Sequence, residues 1–475
     1  MDAAPSRTID PLVWRVGIVT VLGSVMSVLD TTIVNVALDP LARAMHAGLT
    51  SIAWVITAYL LAIAAITPVA GWAARRVGTR TLYLVSLVLF TLGSLLCGLA
   101  WNPGSLIVAR VLQGAGGGLL MPVGQMIVIH LAGRENLGRV MGILAVPTVL
   151  APVVGPTLGG FLLEHVSWQS IFLINLPIGV LAFLLGRKIL PRDHGASTYR
   201  LDVLGFLLAP TGLTLLTYGL SETATEPDLL RAPVVLPILA GIALLWAFTW
   251  HALRVEHPLL DLRLFTDRTY SMASIGSFAN GAISLGGLIL LPLYLQGVRG
   301  ESAVDTGLLI APTAVGVVLV LRTAGRLTDV YGGGRLALVG SAVQAIGTIP
   351  LVLLDAHTGY PLIVASMFVR GLGVGCVGMP LITAALVSLD PSKYQDASAQ
   401  LNVLQRVGGS LGTAIFVVVL QRQARAGAGA EAFGHTFGWV LILTVLSLVP
   451  CFILMRLEKR RRRVPVHVLS PEPVR

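Results

Sequence analysis

The sequence predicts an all-α integral membrane protein with fourteen spanning helices, and three observations carry that prediction. Of the 475 residues, 55% are hydrophobic and only 12% charged, whereas soluble domains are roughly a quarter charged. Apolar runs of about 20 residues recur along the whole chain, each long enough to cross a hydrocarbon core about 30 Å thick. The basic residues gather in every second loop between these runs.

Apolar runs bounded by charged breaks give the elements in order. The first, 12–38, ends before Asp39 and Pro40. It is too long for a cleaved leader and is interrupted by Asp30, so it reads as a retained helix although "ARA" (42–44) mimics a cleavage site. Runs at 51–71 and 81–100 flank the basic turn around Arg75, Arg76 and Arg80. Runs at 105–130 and 140–163 flank Arg134, Glu135 and Arg139, and 170–189 closes on Arg187 and Lys188. Spans 203–221 and 233–253 are separated by an acidic segment, and 270–296 follows a charged stretch from Arg254 to Arg268. The remaining spans are 304–321, 336–354, 361–388, 398–421 and 437–456. An even number of spans puts both termini on one side.

The charge distribution fixes that side. Of 33 Lys and Arg, 25 lie in the N-terminus, the even-numbered loops and the C-terminal tail. Arg43, Arg231, Arg299, Arg422 and Arg425 are the five in odd-numbered loops, and Arg110, Arg370 and Arg406 fall inside spans. Positive residues mark the cytoplasmic side, so both termini are expected there. The net charge of +10 is therefore topology and gives no sign of a nucleic-acid partner. The tail "KRRRR" (459–463) orients the chain and is also placed to meet anionic lipid headgroups.

Other function classes lack their residues. The three cysteines, Cys97, Cys376 and Cys451, sit in apolar runs and give no disulfide framework. The nine histidines form no cluster with acids or cysteines, so a buried metal or nucleophile is unsupported. A phosphate-binding loop needs Gly-Lys-Ser/Thr, and none of the three lysines (188, 393, 459) follows glycine. No loop between spans exceeds about 15 residues, too few for a soluble catalytic domain. The chain is expected to be no enzyme, to use no cofactor and to draw its energy from an ion gradient or a partner chain.

The chain repeats itself. "GWAARRVGTRT" (71–81) matches "GRLTDVYGGGR" (325–335), and "RVLQGAGGG" (110–118) matches "RGLGVGCVG" (370–378), at offsets of 254 and 260 residues. Residues 1–190 form one six-helix bundle and 269–458 a second. Residues 191–268 insert two extra helices between them, and 459–475 form a basic tail. Parallel halves with a binding site at their interface are a transporter arrangement.

These pieces resemble the fourteen-helix drug/proton antiporters of the major facilitator superfamily, the EmrB/QacA-like group. The matching segments are "LDTTIVNVAL", "GWAARRVGTR", "RVLQGAGGG", "GILAVPTVLAPVVGPTLGG", "WQSIFLINLPIG" and "HPLLDLRLF", spread over essentially the whole chain. The resemblance implies the major facilitator fold. It implies a bacterial exporter of amphipathic drugs or lipophilic cations, driven by the proton gradient across the cytoplasmic membrane. A dedicated exporter of an endogenous lipid, siderophore or self-made antibiotic would carry the same fold. Expected partners are lipophilic small molecules, protons and membrane lipids, and the chain is expected to act as a monomer.

Asp30 is the one acid well inside a span. Hydrocarbon disfavours its charge, so it must be protonated or paired. It serves either as a proton carrier or as a structural acid bonded to Thr31, Thr32 or the fourth helix. The resemblance assigns it proton or substrate coupling, within a polar network of Thr31, Thr32, Asn35 and Gln113. Arg110 either snorkels outward or joins Asp30 and Gln113, tuning the acid because it cannot itself lose a proton. Glu164 is placed either to collect cations and protons at the outer end of the fifth span or simply to be solvated. In that span Gly142, Pro147, Pro152, Gly155, Pro156, Gly159 and Gly160 predict bending and close packing, and "GPTLGG" resembles the antiporter motif. The two turns supply the gating residues of the resemblance: Gly71, Arg75, Arg76, Gly78 and Arg80, then Gly325, Asp329 and Arg335. Arg75 stands where the superfamily pattern has an acid, which Asp329 keeps in the second copy.

Single-cysteine labelling of intact and inverted vesicles should place residues 76–80 and 459–463 inside and 222–231 outside. Termini on opposite faces would overturn the fourteen-span topology.

Overall fold

A computed structural model describes residues 11–132, 140, 154–155, 158–193, 200–225, 231–390, 393–425 and 429–463. The regular elements among them are all helical. In the N-terminal half these are α1 (Pro11–Val36), α2 (Leu49–Ile66 with Val69–Val77), α3 (Thr79–Gly98) and α4 (Pro103–Ala132). Next come α5 (158–165) and α6 (Ser170–Leu173 with Asn175–Ile189). The insert supplies α7 (Val203–Thr225) and α8 (Ala232–Arg254). The second half begins with α9 (Arg268–Gly281, a π turn Ala282–Gly286, then Leu290–Gly297) and α10 (Ala303–Ile310 with Pro312–Tyr331). It continues with α11 (Gly333–Val352), α12 (Tyr360–Gly375 with Gly378–Val387), α13 (Tyr394–Arg425) and α14 (Glu431–Arg463). Eleven of these helices are long and apolar enough to cross a membrane, or thirteen if each of two bent pairs counts as one span. The predicted span 140–163 lies largely outside the described residues, including Gly142, Pro147, Pro152 and Pro156.

Packing separates central from peripheral helices. About two thirds of the apolar stretch of α4 is buried, against less than a fifth of those of α7 and α8. Large side chains such as Leu236, Leu239 and Trp246 point outward from α8, as a lipid-facing surface requires. The insert is tied together at one end by Asp202, which accepts from the amides of Gly205 (2.8 Å) and Leu259 (3.1 Å) and from His251 Nε2 (2.7 Å). Burial works against its charge, but these partners outweigh it and hold the carboxyl below the ordinary range. α7 packs on α13 and also touches α2, so the insert reaches both halves.

The repeat is visible in the joints. Gly78 (φ +85°) and Gly332 (φ +95°) make the turns that lead into α3 and α11, a backbone conformation that side chains resist. In each half a carboxylate from the end of the sixth helix caps the third. Asp193 accepts from Thr79 N (2.5 Å), Thr79 Oγ1 (2.6 Å) and Arg80 N (3.0 Å). Glu458 accepts from Gly333 N (3.2 Å) and Gly334 N (2.8 Å). Each satisfies orphan amides at a helix start. The close contact between the third and fourth helices of each half repeats as well: a side chain on Gly93 would strike the backbone of Gln113, and one on Gly347 that of Arg370.

The cores divide by depth. At the end carrying the basic loops, one continuous core joins the halves: Ala70, Ala73 and Leu82 pack in it with Leu381, Tyr394 and Ala397. At the opposite end each half has its own core, around Ile33, Val55 and Phe172 in the first and Leu291, Tyr294 and Phe437 in the second. The halves therefore meet at the basic face and part toward the other.

Removing one cap should destabilise by about 1–2 kcal/mol. Asp193→Ala and Glu458→Ala should each lower the thermal unfolding midpoint in detergent.

Candidate functional site

Asp30 lies in the last third of α1, about two turns before its end, with its side chain fully buried. α4 brings Arg110 and Gln113 to it, one turn apart on one helical face. Arg110 Nη1 donates to Asp30 Oδ2 at 2.5 Å and to Gln113 Oε1 at 2.7 Å. Gln113 Nε2 donates to Asp30 Oδ1 at 2.8 Å. Asn175 Nδ2, from α6, reaches the same oxygen at 3.3 Å, and both amides donate to Ser94 Oγ at 3.0 Å. Arg110 Nε donates to the Val55 carbonyl (3.1 Å), and its guanidinium carbon lies 3.8 Å from the Tyr59 ring centroid. Tyr59 in turn donates to the Ser27 carbonyl (3.1 Å). Asp30, Arg110, Gln113, Ser94 and Tyr59 are all 0% exposed.

A buried ion pair is tolerated only when its remaining lone pairs and protons are satisfied. Here both carboxylate oxygens are, while Arg110 Nη2 is left without a partner. Arg110 thus does not snorkel. Thr31 does not serve the acid in this arrangement: its hydroxyl donates to the Ser27 carbonyl (3.0 Å), and that of Thr32 donates to Leu29 (2.9 Å). A side chain on Gly155, just before α5, would collide with Thr32, and Gly159 of α5 lies against Ile33. Gly160 faces open space. The side chain of Asn35 lies outside the described residues. Glu164 is exposed on α5, and the cluster around Asp30 does not include it.

α4 reaches this position because its small residues admit neighbours. A side chain on Gly114 would meet the Tyr59 carbonyl at 2.7 Å, and one on Gly116 would strike Phe90. The sequence reading did not single out Ser94, Asn175 or Tyr59. Asn175 leaves a signal, a lone amide inside the apolar "SIFLINLPIG"; a serine or tyrosine in such a run leaves none.

At the basic face Arg75 is paired with Asp396, 321 residues away at the start of α13. Gly71, one turn before Arg75, makes room for it: a side chain there would lie 2.9 Å from Asp396 Oδ1. The residue that departs from the family pattern therefore bridges the halves with the charges placed the other way round. Gln125 Oε1 adds a second bridge, accepting from Asn402 Nδ2 (2.7 Å) and Ser398 Oγ (3.2 Å). Arg76 is exposed, and Arg80 donates to the Arg187 carbonyl at 2.6 Å. In the second copy Gly325 is buried, Asp329 half-buried and Arg335 exposed beside Tyr331.

The Major Facilitator Superfamily model matches residues 20–413. The chain is 39% identical over 422 residues to the "Multidrug resistance protein B homolog" of Mycobacterium tuberculosis (strain ATCC 25618 / H37Rv), covering 88% of this chain and 78% of that one. It is 32% identical over 451 residues to the "Putative multidrug resistance protein MdtD" of Cronobacter sakazakii, covering 93% and 94%. Among solved structures, the human organic anion transporter MFSD10 aligns with a TM-score of 0.66 at 14% identity, covering 94% of this chain and all of that one. The proton:xylose symporter XylE aligns with a TM-score of 0.64 at 13% identity, covering 95% and 100%.

The Arg75–Asp396 pair is about a quarter exposed, with side chains at 26% and 23%, so it contributes about 1 kcal/mol at most. Arg75→Asp alone sets two carboxylates together. It should raise the maleimide reactivity of a single cysteine at position 125 about fivefold. Arg75→Asp combined with Asp396→Arg should bring the rate back.

Proposed function

The chain belongs to the major facilitator superfamily, and within it we propose a proton-coupled antiporter that exports amphipathic small molecules across the bacterial cytoplasmic membrane. The observation that carries this reading is the sealed Asp30–Arg110–Gln113 cluster, a titratable acid buried within a span beside a permanent cation. Protonating Asp30 dissolves the ion pair and leaves Arg110 held by the Val55 carbonyl and Gln113, to which it already donates. Losing the proton restores the pair. A proton thus changes how α1 is held to α4, which is what coupling requires: a two-state element biased by a ligand.

The closed basic face and parted outer cores support an outward-facing state, with the basic loops and both termini in the cytoplasm. In that state Asp30 is already neutralised by Arg110, so a lipophilic cation finds no free carboxylate there. Export then proceeds by rocking of the halves about their interface, with the Arg75–Asp396 pair released when the basic face opens. The names of the curated relatives support drug efflux. The protein acts alone, without cofactor, on the proton gradient. A dedicated exporter of one endogenous product would share this machinery and differ only in breadth.

Purified protein in proteoliposomes with an imposed pH gradient and a chemically mixed panel tests this. Broad gradient-driven accumulation supports multidrug export; a single accepted compound supports the dedicated exporter. Asp30→Asn preserves shape and much of the hydrogen bonding but cannot titrate. It should insert normally and lose gradient-driven accumulation down to the level of empty liposomes. Near-normal proton-coupled transport by that folded variant would overturn the role of Asp30.

A further inference from the structure

A groove on the outer surface of the first half takes no part in the chemistry of Asp30. It lies between α3 and α6 at the end carrying the basic loops and has a volume of about 440 Å³. Its wall is apolar: Leu84, Val85 and Val88 come from α3 and Phe183 from α6. Val85 and Val88 are exposed, as on a surface that meets hydrocarbon. Gly186 lets α6 settle on Leu84, whose Cδ2 a side chain there would meet at 3.0 Å. Arg80 and Arg187 line one end of the groove, where both apolar runs stop. In a bilayer that is headgroup depth. From Arg80 to Val88 the groove follows α3 inward for roughly 12 Å, at 1.5 Å per residue.

The two cations have nothing opposite them. Arg80 Nη2 donates to the Arg187 carbonyl at 2.6 Å, which pins the guanidinium to the wall. Its Nε is shut off from water without a partner, and its Nη1 makes no hydrogen bond among the described residues. The Arg187 side chain is exposed and has no hydrogen bond or ion pair among the described residues. Asp193, the acid at this end, has both oxygens occupied by Thr79 and the Arg80 amide. The repeat supplies an internal comparison. The contact of Gly98 with Leu173 recurs as Val352 with Gly438, at offsets of 254 and 265 residues. The turn glycines and the capping carboxylates give the same two offsets. They set Gly334 where Arg80 stands and Phe452 where Arg187 stands. A side chain on Gly334 would collide with Met455 and Leu454. The apolar wall recurs, with Leu338 and Val339 for Leu84 and Val85, but the arginine pair does not. The joint of the third and sixth helices is therefore built without that pair. Orientation asks only for charge near the span, not for a guanidinium pinned beside a groove.

We propose that this groove is a binding site for one anionic phospholipid. The phosphodiester is held by the guanidinium groups of Arg80 and Arg187, which match its charge and its acceptor oxygens. One acyl chain lies along Leu84, Val85, Val88 and Phe183. Basic pockets between spanning helices recognise anionic headgroups in this way. A zwitterionic lipid fits less well, because its ammonium finds no free carboxylate beside the pair. The lipid joins the ends of α3 and α6 next to the Gly78 turn and so braces a half that must move as one body. Neither the proton nor the cargo enters into this site.

Photo-cross-linking of the full-length protein in phosphatidylcholine nanodiscs tests this. The probe is a phospholipid with a diazirine on its acyl chain, carried either on phosphatidylglycerol or on phosphatidylcholine. Mass spectrometry reads its cross-links to residues 84–89. Phosphatidylglycerol should label them at least about fivefold more than phosphatidylcholine, the attraction of one basic residue for an anionic headgroup. Arg80→Gln combined with Arg187→Gln should bring the two lipids level, whereas Arg80→Lys combined with Arg187→Lys should keep most of the preference. In the same molecules residues 338–343 of α11 should show a weaker preference, because Gly334 and Phe452 replace the pair there. Equal labelling of 84–89 by the two lipids, a preference that survives both Gln substitutions, or an equal preference at 338–343 would overturn the site. So would no labelling by either lipid, which leaves the groove to a protein partner.

Discussion

Everything in the first half is arranged around one ion pair in a place where charge is expensive. Asp30 and Arg110 sit in a fully buried site, so each must be neutralised, and the carboxylate must have both oxygens occupied. That requirement explains the amides of Gln113 and Asn175, the shared Ser94 hydroxyl and the tyrosine face over the guanidinium. It also explains the glycines of α4, without which the helix could not come close enough for a short side chain from α1 to reach it. Packing serves electrostatics here, the reverse of the order in a soluble core.

Duplication kept the frame and altered the contents. The positive-φ turns, the carboxylate caps and the close helix crossings recur in both halves, because these hold the bundles together. The polar cluster does not recur. A symmetric pair of titratable sites would compete for the same protons. An asymmetric molecule can give one half to the proton and leave the other half free for a different ligand. The insert helices lie outside this division: they are poorly buried, touch both halves and carry lipid-facing side chains.

Much of this was legible in the sequence, and the boundary of legibility is physical. Asp30 stood out because an acid in an apolar run is rare for energetic reasons. The paired motifs located the halves because turns and caps impose local residue choices. Whether Arg110 snorkels or pairs could not be read, since one arginine near a helix end has both options until a partner's position is known. The bridge between Arg75 and Asp396 was hidden for the same reason: it joins residues in different halves, and no local pattern records it. Glu164 is exposed, which an acid collecting cations at the outer end and a merely solvated acid have in common.

The joint at the basic face is built from two materials with different responses to conditions. Its bulk is the apolar core that runs across both halves, and apolar burial weakens on cooling because its driving force near room temperature is entropic. Its rim is an ion pair about a quarter exposed, which dissolved salt screens and which does not share the entropic origin of the core. The resting conformation is therefore a thermometer through one and an ionic-strength gauge through the other. A cell that chills relaxes the grease, and a cell whose cytoplasm gains salt loosens the latch.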